Sequence, residues 1–266
     1  MSNITSVTSH LEMTVTQQAR LVFSVAVAAG TPTEREDLVL TVDGAPVEAR
    51  EVTSFAGTRL HVVDAPIGRL VVDYAADVTA SAPTPPVTEA EAIEYGRQSR
   101  YAESDRFNVI APTQFAGLNG QELITAVSTW VNGHMRYIPG FSGSTDSAID
   151  TLLAGQGVCR DFAHLTIAML RACGVPARLA AVYAPGLIPM DFHAVAEAAL
   201  DGRWQVVDST RMVPRPGLIR IATGRDAADT AFLTVLSGRV KFGHVRVTCY
   251  AHGGLQPDDP TQPVWI

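Results

Sequence analysis

The sequence predicts an α+β protein. An antiparallel β-sandwich over residues 1–82 is followed, over 88–266, by a unit in which helices pack on an antiparallel sheet. Three observations carry this reading. Short valine-rich runs separated by turn residues fill the first third of the chain. A proline-rich stretch comes next. Helix-period patterns then give way to paired strand patterns. At 266 residues, 47% of them hydrophobic, the chain is long enough for two units with cores of their own.

In the first unit LVFSVAV (21–27), DLVLTV (37–42), RLHVVDAP (59–66) and GRLVVDYA (68–75) read as strands, and Asp43-Gly44 and Pro66-Ile67-Gly68 supply turns between them. SAPTPPVTEAEA is a linker, because Pro83, Pro85 and Pro86 hold it extended. Thr88 followed by Glu91 is a capping-box pattern and starts a helix.

Leu123, Val127, Trp130 and Val131 then mark one face of a helix. SAIDTLLAG is a short helix closed by Gly155. The helix after Cys159 carries Phe162, Leu165, Thr166, Met169, Leu170 and Cys173 as one stripe and stops at Gly174-Val175-Pro176. ARLAAVY is a strand, and HAVAEAAL and RWQVVDST form a hairpin through Asp201-Gly202. A late strand, VKFGHVRVTCYA, is expected to close the second unit. The Pro-rich tail HGGLQPDDPTQPVWI is expected to be an irregular arm.

The net charge is −7 and no block of Lys and Arg is present, which argues against a nucleic-acid partner. No apolar run approaches the ~18–20 residues of a membrane span, and the N-terminus lacks the pattern of a secretory signal. Three cysteines at irregular spacing give no disulfide framework, so a cytoplasmic, reducing setting is expected. Cys159, Cys173, His164 and His193 do not fall at metal-ligand spacings, and the sequence calls for no metal and no cofactor.

Cys159 is the residue that packing does not explain. Gly157, Arg160 and Asp161 flank it, and it stands where a helix begins. Backbone N–H groups and the helix dipole favour negative charge there, which suits a thiolate and the oxyanion of acyl transfer. A thiolate nucleophile needs an imidazole, and the imidazole needs an orienting acceptor. If Asp201-Gly202 is a two-residue turn, Leu200 pairs with Arg203 and Val195 falls opposite Asp208, so His193 and Asp208 are same-face diagonal neighbours within side-chain reach. A slip of one residue would separate them. Cys173 and Cys249 read as core residues and His164 as a packed or capping histidine.

GVCRDFAHL and FHAVAEAALDGRWQVVDST resemble the bacterial transglutaminase-like family, within the wider papain-like fold. SRYAESDRF (99–107), MRYIPGFSG (135–143) and RIATGRDAADTAF (220–232) are similar to further segments of that family, so the resemblance covers about residues 90–235. It implies a catalytic triad of Cys159, His193 and Asp208 and places Tyr101 and Tyr137 in the cleft. Gln156 is a candidate oxyanion donor, three residues before the cysteine, an offset unlike papain's. The expected function is a thiol-dependent amide or peptide bond hydrolase working through a thioester. The alternatives are acyl transfer to an amine, as in a transglutaminase, and a non-catalytic binding or scaffold module. The expected partner is a peptide or protein amide.

Overall fold

The computed structural model describes residues 4–82 and 84–266; Pro83 of the expected linker lies outside them. The N-terminal part is one curled seven-stranded sheet. Its strands are β1 (Thr5–Phe23), β2 (Thr33–Val42), β3 (Ala45–Pro46), β4 (Arg50–Thr53), β5 (Arg59–Ala65) and β6 (Gly68–Val78), joined by the last strand of the chain. The middle of the chain supplies α1 (Glu89–Glu94), α2 (Ile110–Gln114), α3 (Gly120–His134), β7 (Arg136–Tyr137), α4 (Ala148–Ala154), β8 (Gln156–Gly157) and α5 (Cys159–Ala172). A second sheet, in the order β11-β10-β9-β12, contains β9 (Ala177–Tyr183), β10 (His193–Leu200), β11 (Arg203–Val207) and β12 (Ile219–Gly224). After α6 (Ala227–Thr230), β13 (Leu233–Ala251) returns to the first sheet.

Two expectations need correction. The first strand begins at Thr5 and not near Leu21. Val7, Ser9, Leu11, Met13 and Val15 alternate inward over this segment, but the polar residues between them hid the period of two. The late strand does not close the second unit. It begins at Leu233, seven residues before the expected start, and pairs antiparallel with β1 from Leu233↔Phe23 to Ala251↔Thr5. On its other side β1 pairs β6 through residues 5–15 and β5 through 19–23. Bulges in the β1–β13 pair, one beside Gly243 and others around Gly238, bend both strands and curl the sheet over its core. Gly238 has φ +82, and a Cβ there would collide with Gln18 and Ala19, so the bend requires glycine.

The placement of the two sheets creates the cleft. On one face of the second sheet, Ala177, Leu179, Ala196 and Ala198 pack under α5 with Leu165, Ile167 and Met169. Beyond them Tyr183, Ile219 and Ile221 pack into the core of the curled sheet with Leu11, Phe23 and Tyr74. α5 and the curled sheet thus lie side by side on one floor. The opposite face carries Ala180, Val182, Val195 and Val206 and is covered by Leu218 and by Ile266 of the tail. That tail has no regular structure after β13, as expected, and is held by Arg215, whose guanidinium bonds Asp258 at 2.8 Å. Thr88 and Ser147 cap α1 and α4 with complete capping boxes, and Gly155 ends α4 at φ 62.

Candidate active site

Cys159 is the first residue of α5, after an extended Val158. Gly157 lets the chain enter that turn, because a Cβ there would lie 2.6 Å from Asp161 Oδ2. Asp161, fully buried, is tied down on every side. It accepts the Val158 N–H at 2.8 Å and the Ser142 hydroxyl, and Arg160 bonds its other oxygen at 3.1 Å. Its charge is spent on closing the helix start, and Arg160 also bonds Gly143 O at 2.6 Å, which fastens the 138–147 loop beside the cysteine.

The β10–β11 hairpin has the expected register, Leu200↔Arg203 through Ala196↔Val207. Asp201 and Gly202, at φ 51 and 73, make the left-handed two-residue turn that sets it. His193 begins β10 and Asp208 follows β11, and His193 Nε2 lies 2.9 Å from Asp208 Oδ2 with both groups buried. Asp208 Oδ1 accepts from the Thr210 N–H at 2.9 Å and its hydroxyl at 2.7 Å, so the carboxylate is fully engaged.

Nδ1 of His193 is buried without a hydrogen-bond partner, and Cys159 is near enough to help raise the ring's pKa. Nδ1 is therefore the nitrogen left for the thiol. Burial pushes the imidazole pKa down. The Asp208 charge and hydrogen bond, with Cys159 behind them, outweigh it and raise it to about 10. Burial likewise opposes ionisation of Asp208, but the imidazolium and the Thr210 donors hold its pKa below the ordinary carboxylate value. The pair favours His⁺ and Asp⁻ at neutral pH, which suits a neighbouring thiolate.

The remaining residues separate cleanly. Tyr137 lies against Cys159, its hydroxyl beside both the backbone N–H and the thiol, and burial and the thiol together raise its pKa. Tyr101 lines the cleft, donates its N–H to Asp226 at 2.8 Å and stacks on His164 with ring centroids 5.5 Å apart. Gln156, on β8, and Tyr137, on β7, both lie outside the residues that line the cleft. The parallel β7–β8 pairing, Arg136↔Gln156 and Tyr137↔Gly157, brings Tyr137 to the sulfur in its stead. His164 is a packed residue: it is fully buried, its Nε2 accepts the Ala227 N–H at 3.1 Å, and burial lowers its pKa to about 3.

The cleft between α5 and the curled sheet has a volume of about 910 Å³. Leu179, Ala181 and Ala194 form its floor, Cys159 and His193 one wall, and Phe232 to Val235 the other. Sequence reasoning missed that second wall. It also missed Asp191, an exposed cleft residue two positions before His193, whose carboxyl pKa is raised chiefly by desolvation. The only advance signal was the family-like segment ending at Phe232.

Comparison with known proteins agrees with this architecture. A family model described as the transglutaminase-like superfamily matches residues 112–209, a span that contains Cys159, His193 and Asp208. A crystal structure of a candidate cysteine protease from Cytophaga hutchinsonii is 32% identical, covers 99% of this chain and 93% of its own, and superposes with a TM-score of 0.86. An uncharacterized protein of Mycobacterium leprae (strain TN) is 31% identical over 164 residues, 51% of this chain, and the match spans 57% of that relative's length. The chain belongs to the transglutaminase-like superfamily.

Proposed function

We propose that this protein is a thiol-dependent amide or peptide bond hydrolase. The observation that carries the reading is the buried His193–Asp208 pair, 2.9 Å apart, with its free ring nitrogen beside a helix-start cysteine at a cleft. The Cys159 thiolate, whose proton His193 Nδ1 already holds, adds to the carbonyl carbon. The oxygen takes up the negative charge and is met by the Cys159 N–H and the Tyr137 hydroxyl, which lie together. As the C–N bond breaks, His193 returns the proton to the leaving amine, and a thioester remains on the sulfur. His193 then takes a proton from water, the hydroxide adds, and the thiolate leaves. Asp208 keeps the imidazole in the tautomer that can accept from sulfur.

Hydrolysis is favoured over transfer because the Cytophaga relative is described as a candidate protease. The chemistry needs Cys159 reduced, as a cytoplasmic setting would keep it. The test is a glutamine-containing peptide with and without putrescine. Peptide cleavage or ammonia release that the diamine leaves unchanged supports hydrolysis, and incorporation of the diamine shows transfer. The Cys159→Ala protein should be inert in both assays; turnover by that variant would remove the proposed nucleophile.

A further inference from the structure

We propose that the free edge of β13 is a docking strand for an extended, acidic segment of the polypeptide substrate, which it leads into the Cys159 cleft. This rests on the reading of the cleft as an amide-processing site. β13 is 19 residues long and pairs on one side only, with β1. Among the described residues no strand pairs with its other side. The Cys249 N–H, near the far end, is met by the Met190 sulfur at 3.5 Å. Residues 234–239 and 241–244 are all exposed. An uncovered edge of this length presents a row of ladder groups to any extended chain, and such edges recognise peptides by strand addition.

Position and charge say which chain. Leu233, Thr234 and Val235 line the same cavity as Cys159 and His193, so a strand added here has one end at the reacting atoms. No Asp or Glu occurs between residues 233 and 251 of a chain whose net charge is −7. Among the described residues Arg239, Lys241 and Arg246 form no ion pair. Their partners across the ladder are Gln17, Thr14 and His10. The nearby Glu12, opposite His244, is already held by Arg69 at 2.7 Å. Val235, Leu236 and Phe242, at 42%, 59% and 43% exposure, give apolar anchors on the same strand as the cations. A second copy of β13 is a poor occupant, since it would set two cationic strands against each other. An acidic, partly apolar peptide fits.

The same cations could instead guard an open edge against self-association, and the experiment separates the two roles. It uses the full-length Cys159→Ala protein and a fluorescent peptide of about twelve residues, ~40 Å at ~3.3 Å per residue, alternating Glu with Thr and Val. The acidic peptide should bind at least about tenfold more tightly than its Lys-for-Glu counterpart, and the combined variant R239E/K241E/R246E should reverse that preference. Of two peptides N-methylated on alternate residues, one should lose binding and the other keep it, because only one set of amides faces the edge. Lys241 is the only lysine of the chain. Carbodiimide coupling should therefore join the acidic peptide to it, read by peptide mass spectrometry. Equal binding of both N-methylated peptides, or a charge-reversed protein that dimerises yet binds the acidic peptide unchanged, overturns the proposal. Binding is scored without turnover, so a protein that docks the peptide but never cleaves amides overturns the catalytic reading alone.

Discussion

Replacing Asp208 by Asn is the perturbation that probes the site most sharply. The shape is kept, and Asn Oδ1 can still accept the Thr210 N–H and hydroxyl that Asp208 holds at 2.9 and 2.7 Å. The charge is lost, and the amide nitrogen presents a donor to His193 Nε2. Burial, the largest influence on the ring, then acts almost unopposed. The imidazole falls from about 10 to below its ordinary ~6.5. At ~1.4 kcal/mol per pH unit that is about 4–5 kcal/mol of imidazolium stabilisation, the size expected when one member of a buried pair is removed.

The sign of the pH effect follows. The raised His193 contributes stability in full below ~6.5, and loses it as pH rises toward 10. The depressed Asp208 contributes above the ordinary carboxylate value near ~3.9 and loses it as pH falls further. Urea unfolding of Asp208→Asn at pH 6 should therefore show a loss of a few kcal/mol that shrinks toward pH 10. Iodoacetamide labelling of Cys159 at pH 6, read by mass spectrometry, should slow at least about tenfold, because Nε2 must now accept and the ring proton sits on Nδ1, facing the sulfur. Unchanged labelling together with unchanged stability at pH 6 would refute the coupling.

Three further outcomes are expected. Gly157→Ala should lower the free energy of unfolding by about 1–3 kcal/mol, since its Cβ would lie 2.6 Å from Asp161 Oδ2 and push that carboxylate off the Val158 N–H; a lowered midpoint in a thermal melt reads it. Glu197→Gln should cost about 3–5 kcal/mol in urea unfolding, because Glu197 is fully buried between Arg178, at 2.7 Å, and Arg220. His164 is held neutral, its pKa lowered to about 3, so it contributes stability above ~6.5 that drains away as pH falls toward 3. Stability measured across that range should fall less steeply in His164→Gln.

What the sequence made legible was local. Asp201-Gly202 fixed the β10–β11 register, because both residues adopt the positive φ of a two-residue turn. The capping residue Thr88 marked a helix start, because its bonds close within three residues. The β1–β13 pairing was not legible, because its partners Thr5 and Ala251 share no neighbourhood in the chain and a long-range ladder leaves no mark on local composition. The second wall of the cleft, from Phe232 to Val235, follows from that pairing and was hidden with it. Gln156 was drawn by analogy of position, whereas the cross-strand register of β7 and β8 brings Tyr137 to the cysteine.

The most direct measurement is site-resolved alkylation of the native protein by limiting iodoacetamide at pH 6, with all three cysteines mapped by mass spectrometry. Burial raises the thiol pKa of Cys173, and pushes that of Cys249 up to about 12. The account predicts that Cys159 takes the label first and nearly alone, and that the denatured protein labels all three alike. If native Cys159 reacts no faster than Cys173, no activated thiolate sits beside His193, and the central claim fails.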